Sequence, residues 1–302
     1  ALPTAKNELQ NDCIKRTLGP NLVGQNIEFA YAMALPPEKG KLVSAQVEAS
    51  IAGAPQTWLQ NNSFYTNGSG VDVPVEVGDP SVNEGAVTKV TFNKDTSAAT
   101  LRYYYYIPEE ARGKTVKFTF SAKSSNGETV TYSMGPYTIA KMDMKLDIPV
   151  TDGDNCFISI ADMAAYNNAD ATANPAKVDL VYLYRSIPNI TFKHSLVAPA
   201  ADKQYLPDVA LPAGAANNTK ISKVWNLQDY NLARLQYGIY IDDLDFEKLD
   251  ISNAPNFAIN LKAEAGAWVE TADGKYRAYI YINKANDGSK SAVISMKRYT
   301  LK

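Results

Sequence analysis

The side chains able to do chemistry are few in kind. His194 is the only histidine in 302 residues, and Cys13 and Cys156 are the only cysteines. A multi-histidine metal site, a thiolate zinc cluster and an iron–sulfur centre all need more ligands than that. Any Ser-His-Asp triad has to use His194, yet Lys193-His194-Ser195 offers no supporting context. Neighbours on a strand face opposite sides, so His194 is expected to be structural or at the surface. Neither a Gly-x-Ser-x-Gly elbow nor a Gly-x-Gly-x-x-Gly fingerprint occurs, and Gly113-Lys114-Thr115 has Pro108 where a phosphate loop needs its first glycine.

Carboxylates are plentiful, and cleavage of a glycan needs only two of them. Asp242-Asp243-Leu244-Asp245 is the densest cluster. It is expected to be a solvated turn and helix N-terminus, where carboxylates stabilise the exposed N–H groups. Asp152-Gly153-Asp154-Asn155 looks like a fragment of a calcium loop, with Asp152, Asp154 and Asn155 as the oxygen donors. Its glycine is misplaced for an EF-hand and no glutamate closes it, so an interdomain turn is the expectation and no cofactor is implied beyond a partial Ca2+ loop.

Aromatic residues carry the strongest binding signal. In a strand, Tyr103 and Tyr105 face one way while Tyr104 and Tyr106 face the other. One pair can enter a core, leaving the other as a strip for stacking on sugar rings or on another protein. A sandwich covers one face of each sheet, so the second pair is expected to be open unless a loop or domain covers it. Trp58 and Trp225 are lesser candidates, and Trp268 lies in a hairpin and is expected to be packed.

The elements that must position these groups are mostly strands. In the first half, Leu42 to Ile51, Val71 to Val77, Val87 to Asn93, Ala99 to Ile107, Thr115 to Lys123 and Thr129 to Ile139 alternate or nearly so. Pro74 marks its segment as an edge strand or strand entry. Asn126-Gly127 supplies a tight hairpin turn. Short strands with turn signals between them predict an antiparallel sandwich. The character changes near Met142 to Lys145, after which strands at Cys156 to Ile160, Lys177 to Tyr184 and Ser291 to Leu301 mix with helical stretches at Leu227 to Leu235 and Asp242 to Leu249. Trp268 to Asn283 reads as a hairpin turning at Asp273-Gly274, and the segment Pro212 to Thr219 as a mobile loop. The expected division is therefore an all-β domain over 1–143 and an α+β domain over 144–302, each long enough for its own core. Cys13 and Cys156 fall in different domains and are expected to remain unpaired.

Composition narrows the partners. Thirty Lys+Arg against 32 Asp+Glu give a net charge of −2, which supplies no electrostatic drive toward nucleic acid. No apolar run is long enough for a spanning helix, and Ala-Leu-Pro-Thr-Ala-Lys lacks the order of a signal peptide. Tyr outnumbers Phe 19 to 9, a bias common in exported β proteins.

The runs Cys156 to Ile160, Ala173 to Tyr182, Leu196 to Ala200, Asn218 to Lys220 and Val269 to Tyr276 occur in an order that resembles uncharacterised secreted lipoproteins of gut Bacteroidetes. The first half, through Arg112 to Phe120 and Asn126 to Glu128, resembles the Ig-like module that often precedes that segment. The resemblance implies an Ig-like β-sandwich followed by an α+β domain, export, and attachment to the outer membrane through a lipidated cysteine upstream of Ala1. Its motifs are turns and core strands, so it carries over no catalytic residue. Three readings follow. The first is a non-enzymatic envelope lipoprotein that binds a glycan or an envelope protein; the second is a carboxylate-driven glycoside hydrolase; the third is a structural spacer or adhesin subunit.

Overall fold

The computed structural model describes residues 8–234 and 238–302 of the chain. It divides into two compact units that meet in sequence between Ala140 and Lys141. The boundary expected after residue 143 falls instead inside the first strand of the second unit.

Among the described residues the first unit contains ten strands: β1 (Gln10–Lys15), β2 (Asn26–Ala34), β3 (Leu42–Ala49), β4 (Trp58–Thr66), β5 (Asp72–Glu76), β6 (Val82–Glu84), β7 (Val87–Thr91), β8 (Ala98–Tyr106), β9 (Thr115–Ser124) and β10 (Thr129–Thr138). They form two five-stranded antiparallel sheets, ordered β1-β2-β8-β4-β5 and β10-β9-β3-β7-β6. Inward residues of both sheets share one apolar core. The period of two explains it: β2 sends Ile27, Phe29, Tyr31 and Met33 inward, and β9 sends Val116, Phe118, Phe120 and Ala122. Phe29 lies 4.9 Å from Phe118 and 5.3 Å from Phe120 between ring centroids, which fixes the spacing of the two sheets at the centre. Pro74 lies in β5, an edge strand, where its missing N–H costs no ladder bond.

The second unit contains β11 (Asp143–Thr151), β12 (Phe157–Ser159), β13 (Ala164–Tyr166), α1 (Asn168–Ala173), β14 (Leu180–Ile187), β15 (Ile190–Val197), β16 (Lys220–Trp225), α2 (Tyr230–Ala233), α3 (Asp243–Glu247), β17 (Phe257–Leu261), β18 (Ala265–Glu270), β19 (Tyr276–Asn286) and β20 (Ser291–Thr300). Two further five-stranded antiparallel sheets result, β11-β20-β19-β18-β16 and β13-β12-β14-β15-β17. This unit is mainly β, not the expected α+β. Its helices have six, four and five residues, too short to form a layer. The helix expected over Leu227 to Leu235 shrinks to Tyr230–Ala233, and its last residue, Leu235, lies outside the described residues.

The outer face of the β11–β20 sheet is covered. In β19, Ala278, Ile280 and Ile282 join the intersheet core, yet Tyr279 and Tyr281 on the opposite face are buried too. Described residues of the segment between β16 and β17 pack on this face. The Tyr279 hydroxyl donates to the Leu227 carbonyl at 2.6 Å, and Phe246 of α3 packs edge-on against Trp268 at 5.4 Å. Lys297, wholly buried on this face, donates to Asp229 at 2.7 Å and to the Ile241 carbonyl at 3.0 Å. Asp229 also caps α2 through the Asn231 and Leu232 amides and accepts from the Ile241 amide, so one carboxylate joins the strand, the helix and the loop. Removing water from Lys297 pulls its ammonium below the ordinary range, and the facing Asp229 acts against that.

Candidate binding face

The corresponding face in the first unit is built differently. On β8, Tyr103 and Tyr105 are 1% and 0% exposed, whereas Tyr104 and Tyr106 are half-buried on the other side. Tyr103 and Tyr105 are therefore core residues, and neither presents its ring to solvent. Tyr105 packs edge-on against Phe118 at 4.9 Å, and its hydroxyl donates to the Ile51 carbonyl at 2.8 Å. Of the run, only Tyr104 and Tyr106 reach the outward face.

Strand pairing completes that face. Trp58 on β4 stands opposite Tyr104 on β8, and their rings stack at 5.0 Å with 14° between planes. The Tyr104 hydroxyl donates to Gln60 Oε1 at 3.2 Å, which holds the ring against Trp58. Trp58 remains 42% exposed, so the stack leaves much of the indole open to water. Arg102, two residues before Tyr104, lies over the Phe64 ring at 3.8 Å and pairs with Asp72 at 2.7 Å. Glu28, opposite Tyr104 on β2, pairs with Arg16. Farther along, Ile14 on β1 sits opposite Ala30 and is exposed. The face thus combines an aromatic stack and an exposed apolar residue with two ion pairs, Arg102 with Asp72 and Arg16 with Glu28. Such a surface suits a ring of low charge better than a polyanion.

The other candidates fall elsewhere. Asp152, Asp154 and Asn155 form the turn between β11 and β12, inside the second unit and not between units. The segment is a turn, as expected, and Asp152 of the partial calcium-loop pattern is engaged elsewhere. Asp152 pairs with Arg185 at 2.5 Å and accepts from the Tyr184 amide at 3.1 Å, so a guanidinium holds the place a cation would need. The Asn155 side chain donates to the Pro149 carbonyl, leaving its amide as a turn fastener. Among the described residues no group of three or more His, Cys, Asp or Glu side chains could hold a metal ion.

His194 is buried within a hydrogen-bonded chain. Its Nδ1 lies 2.6 Å from the Tyr182 hydroxyl and its Nε2 2.7 Å from Asp287 Oδ1. That bond holds the Asp287 carboxyl below its usual range. Ser195 points away, toward the Phe192 and Lys193 carbonyls, so no serine nucleophile meets the histidine. Asp242 and Asp245 form a capping box on α3, and Asp243 accepts from the Lys141 and Met142 amides at 2.7 and 3.1 Å. These carboxylates serve the backbone. Trp268 is buried against Tyr279 at 4.8 Å, while Trp225 is exposed at the end of β16. The loop expected to be mobile is pinned, because Asn217 donates to the Ala176 and Val178 carbonyls and Thr219 to the Asp179 carbonyl.

Sequence reading missed Gln60, Phe64, Arg102 and Glu28. Only cross-strand register brings them beside Tyr104. It also missed Asp179, a buried carboxyl at the entry of β14.

Comparison with known proteins gives the lineage. A domain of unknown function, DUF4466, matches residues 6–139, and a second domain of unknown function, DUF8576, matches residues 140–301. The crystal structure of a DUF4466 family protein from Parabacteroides merdae ATCC 43184 is 51% identical in sequence, with a TM-score of 0.89 over 99% of this chain and 100% of that one. No curated protein matches the chain. With a relative this similar over its whole length, the chain belongs to the DUF4466 family.

Proposed function

We propose that this protein is a non-enzymatic binding module of the bacterial cell envelope, and that it holds a neutral glycan on the outward face of its first unit. The observation that supports the reading is the exposed Trp58 stacked on Tyr104, with the Arg102–Asp72 and Arg16–Glu28 ion pairs on the same face. In this reading the first unit is an Ig-like sandwich that presents the face. Export and a lipid anchor upstream keep the protein at the outer membrane, where many weak contacts act together. An envelope protein is the alternative occupant of the same face.

The test is a glycan array probed with the purified chain, followed by titration of any hit. A stacked ring contact is worth ~1 kcal/mol, so Trp58→Ala is expected to weaken a bound glycan about fivefold or more. Because Trp58 faces outward, its melting temperature should stay close to that of the unmodified protein. Equal binding of every oligosaccharide hit by Trp58→Ala refutes the reading that the outward face holds a glycan. So does a glycan-cleaving activity that vanishes when a carboxylate pair is replaced.

A further inference from the structure

A second surface lies on the opposite side of the same strands. Between the loop preceding β4 and the turn joining β6 to β7 is a cavity of about 160 Å³, inside the first unit. A cavity of ~150 Å³ can hold one benzene-sized molecule, so the scale is that of one small ring and not of an oligomer. Tyr103, Thr57 and Thr88 line it and are themselves 1%, 5% and 3% exposed. Asn83, Gly53 and Ala86 complete the part of the wall that matters here.

The polar groups form a chain. The Tyr103 ring shares the wall with Thr88, whose hydroxyl donates to Asn83 Oδ1 at 2.7 Å. Asn83 Nδ2 donates to the Thr57 carbonyl at 2.7 Å, and Thr57 Oγ1 accepts from the Tyr106 amide at 3.0 Å. Each group keeps unused capacity: the Thr57 hydroxyl proton, the second Nδ2 hydrogen of Asn83 and a lone pair on Tyr103. Donors and acceptors are mixed, and no charged side chain lines the cavity. A carboxylate or ammonium entering it would lose water without meeting a counter-charge. A polyhydroxyl ring brings groups that both donate and accept, which is what the wall can match. Gly53 belongs to this design, since a Cβ there would lie 2.1 Å from Thr57 Oγ1 and force that hydroxyl out of place.

We propose that this intersheet cavity is a binding site for a single neutral sugar ring, separate from the outward aromatic face. The experiment uses the full chain and a panel of neutral monosaccharides: glucose, galactose, mannose and N-acetylglucosamine. Glucuronate and glucosamine serve as charged controls, and binding is followed by saturation-transfer NMR and titration calorimetry. At least one neutral sugar is expected to bind and the charged ones to bind more weakly. Tyr103→Phe removes one hydroxyl and keeps the ring, so it should weaken binding about five- to tenfold, the worth of one hydrogen bond. Ala86→Leu places bulk in the cavity from an exposed turn and should abolish binding. Melting curves establish that each variant is folded, and should Ala86→Leu fail to fold, Tyr103→Phe alone decides. The proposal is overturned if no neutral sugar binds, if the charged sugars bind equally well, or if Tyr103→Phe binds as the unmodified chain does. Loss of binding only in Trp58→Ala also overturns it, and would assign the sugar to the outward face instead.

Discussion

Asp179 makes the second unit sensitive to pH in a direction opposite to ordinary acid denaturation. Its carboxyl is 6% exposed. It accepts from the Ile160 amide at 2.8 Å, and its other oxygen lies 3.4 Å from the Asn217 amide nitrogen. Loss of water is the main effect, and the nearby Asp273 and Asp162 add to it; together they push the carboxyl up to about 7 against the pull of the Ile160 amide. Below about pH 4 the group is protonated both folded and unfolded. Between about 4 and 7 the folded chain keeps the proton and the unfolded chain releases it, so stability falls as pH rises through this window. A displacement from 3.8 to about 7 corresponds to ~4 kcal/mol at ~1.4 kcal/mol per pH unit. At 2–4 °C per kcal/mol for a domain of this size, the effect on melting temperature is about 10 °C. The assay is thermal unfolding of the full chain in a Trp58→Phe background, where only Trp225 and Trp268 report and both lie in the second unit. Asp179→Asn cannot ionise, so its melting temperature should gain on that of the Asp179 protein steadily from pH 4 to pH 7 and by a constant amount above. Other titrating groups are common to both proteins and cancel in the difference. Parallel melting curves across that window would falsify the assignment of a raised carboxyl to Asp179.

Two further outcomes follow from buried groups. Burial pushes Cys13 up to about 12 and Cys156 up to about 11, so neither free thiol should react with a disulfide reagent at pH 8 in the folded protein. Both should react in denaturant, and a count below two there would mean they are bonded. Lys297→Met strands the buried Asp229 carboxylate and should cost the second unit ~3–5 kcal/mol in denaturant unfolding; adding Asp229→Asn should recover part of it, and a single variant as stable as the parent would count against a buried ion pair.

Strands were legible where side chains alternate on a single segment. Val116, Phe118 and Phe120 announce β9, and the Asn-Gly turn announces its hairpin. The same alternation runs through β2, at Ile27, Phe29, Tyr31 and Met33, although the expected strands began only at Leu42; β4 lacks it. Its run Trp58 to Thr66 carries Gln60, Asn61, Asn62 and Ser63 in the middle, and its register with β8 shifts between Leu59 and Ser63. The second unit misled for a physical reason. Short helix signals such as Asp242 and Asp245 are real, but they describe caps on single turns within a long loop. Periodicity says that a helix starts and leaves open whether a layer follows. Pairwise chemistry was the least legible. That Asp152 is spent on Arg185, and His194 on Tyr182 and Asp287, depends on strand neighbours that no local pattern encodes.

The tyrosine run shows how much a period of two can accomplish. Tyr103 and Tyr104 share a peptide bond, yet one ring belongs to the core and to a polar cavity while the other belongs to an open face. The sheet itself separates the two surfaces, so a change at one position need not reach the other. Tyr103→Phe removes a hydroxyl from the cavity and touches nothing outside, whereas Trp58→Ala strips the outward stack and leaves the cavity lining whole. The second unit forgoes this economy: a loop anchored by Asp229 and Lys297 closes over the outer side of its β11–β20 sheet. Covering that face with protein removes it as a docking surface and gains the burial of Tyr279, Phe246 and Lys297. In the first unit, the corresponding aromatic surface at Trp58 stays open to water. It gives up that burial free energy, and it is on this asymmetry between a covered and an open face that the proposed binding role rests.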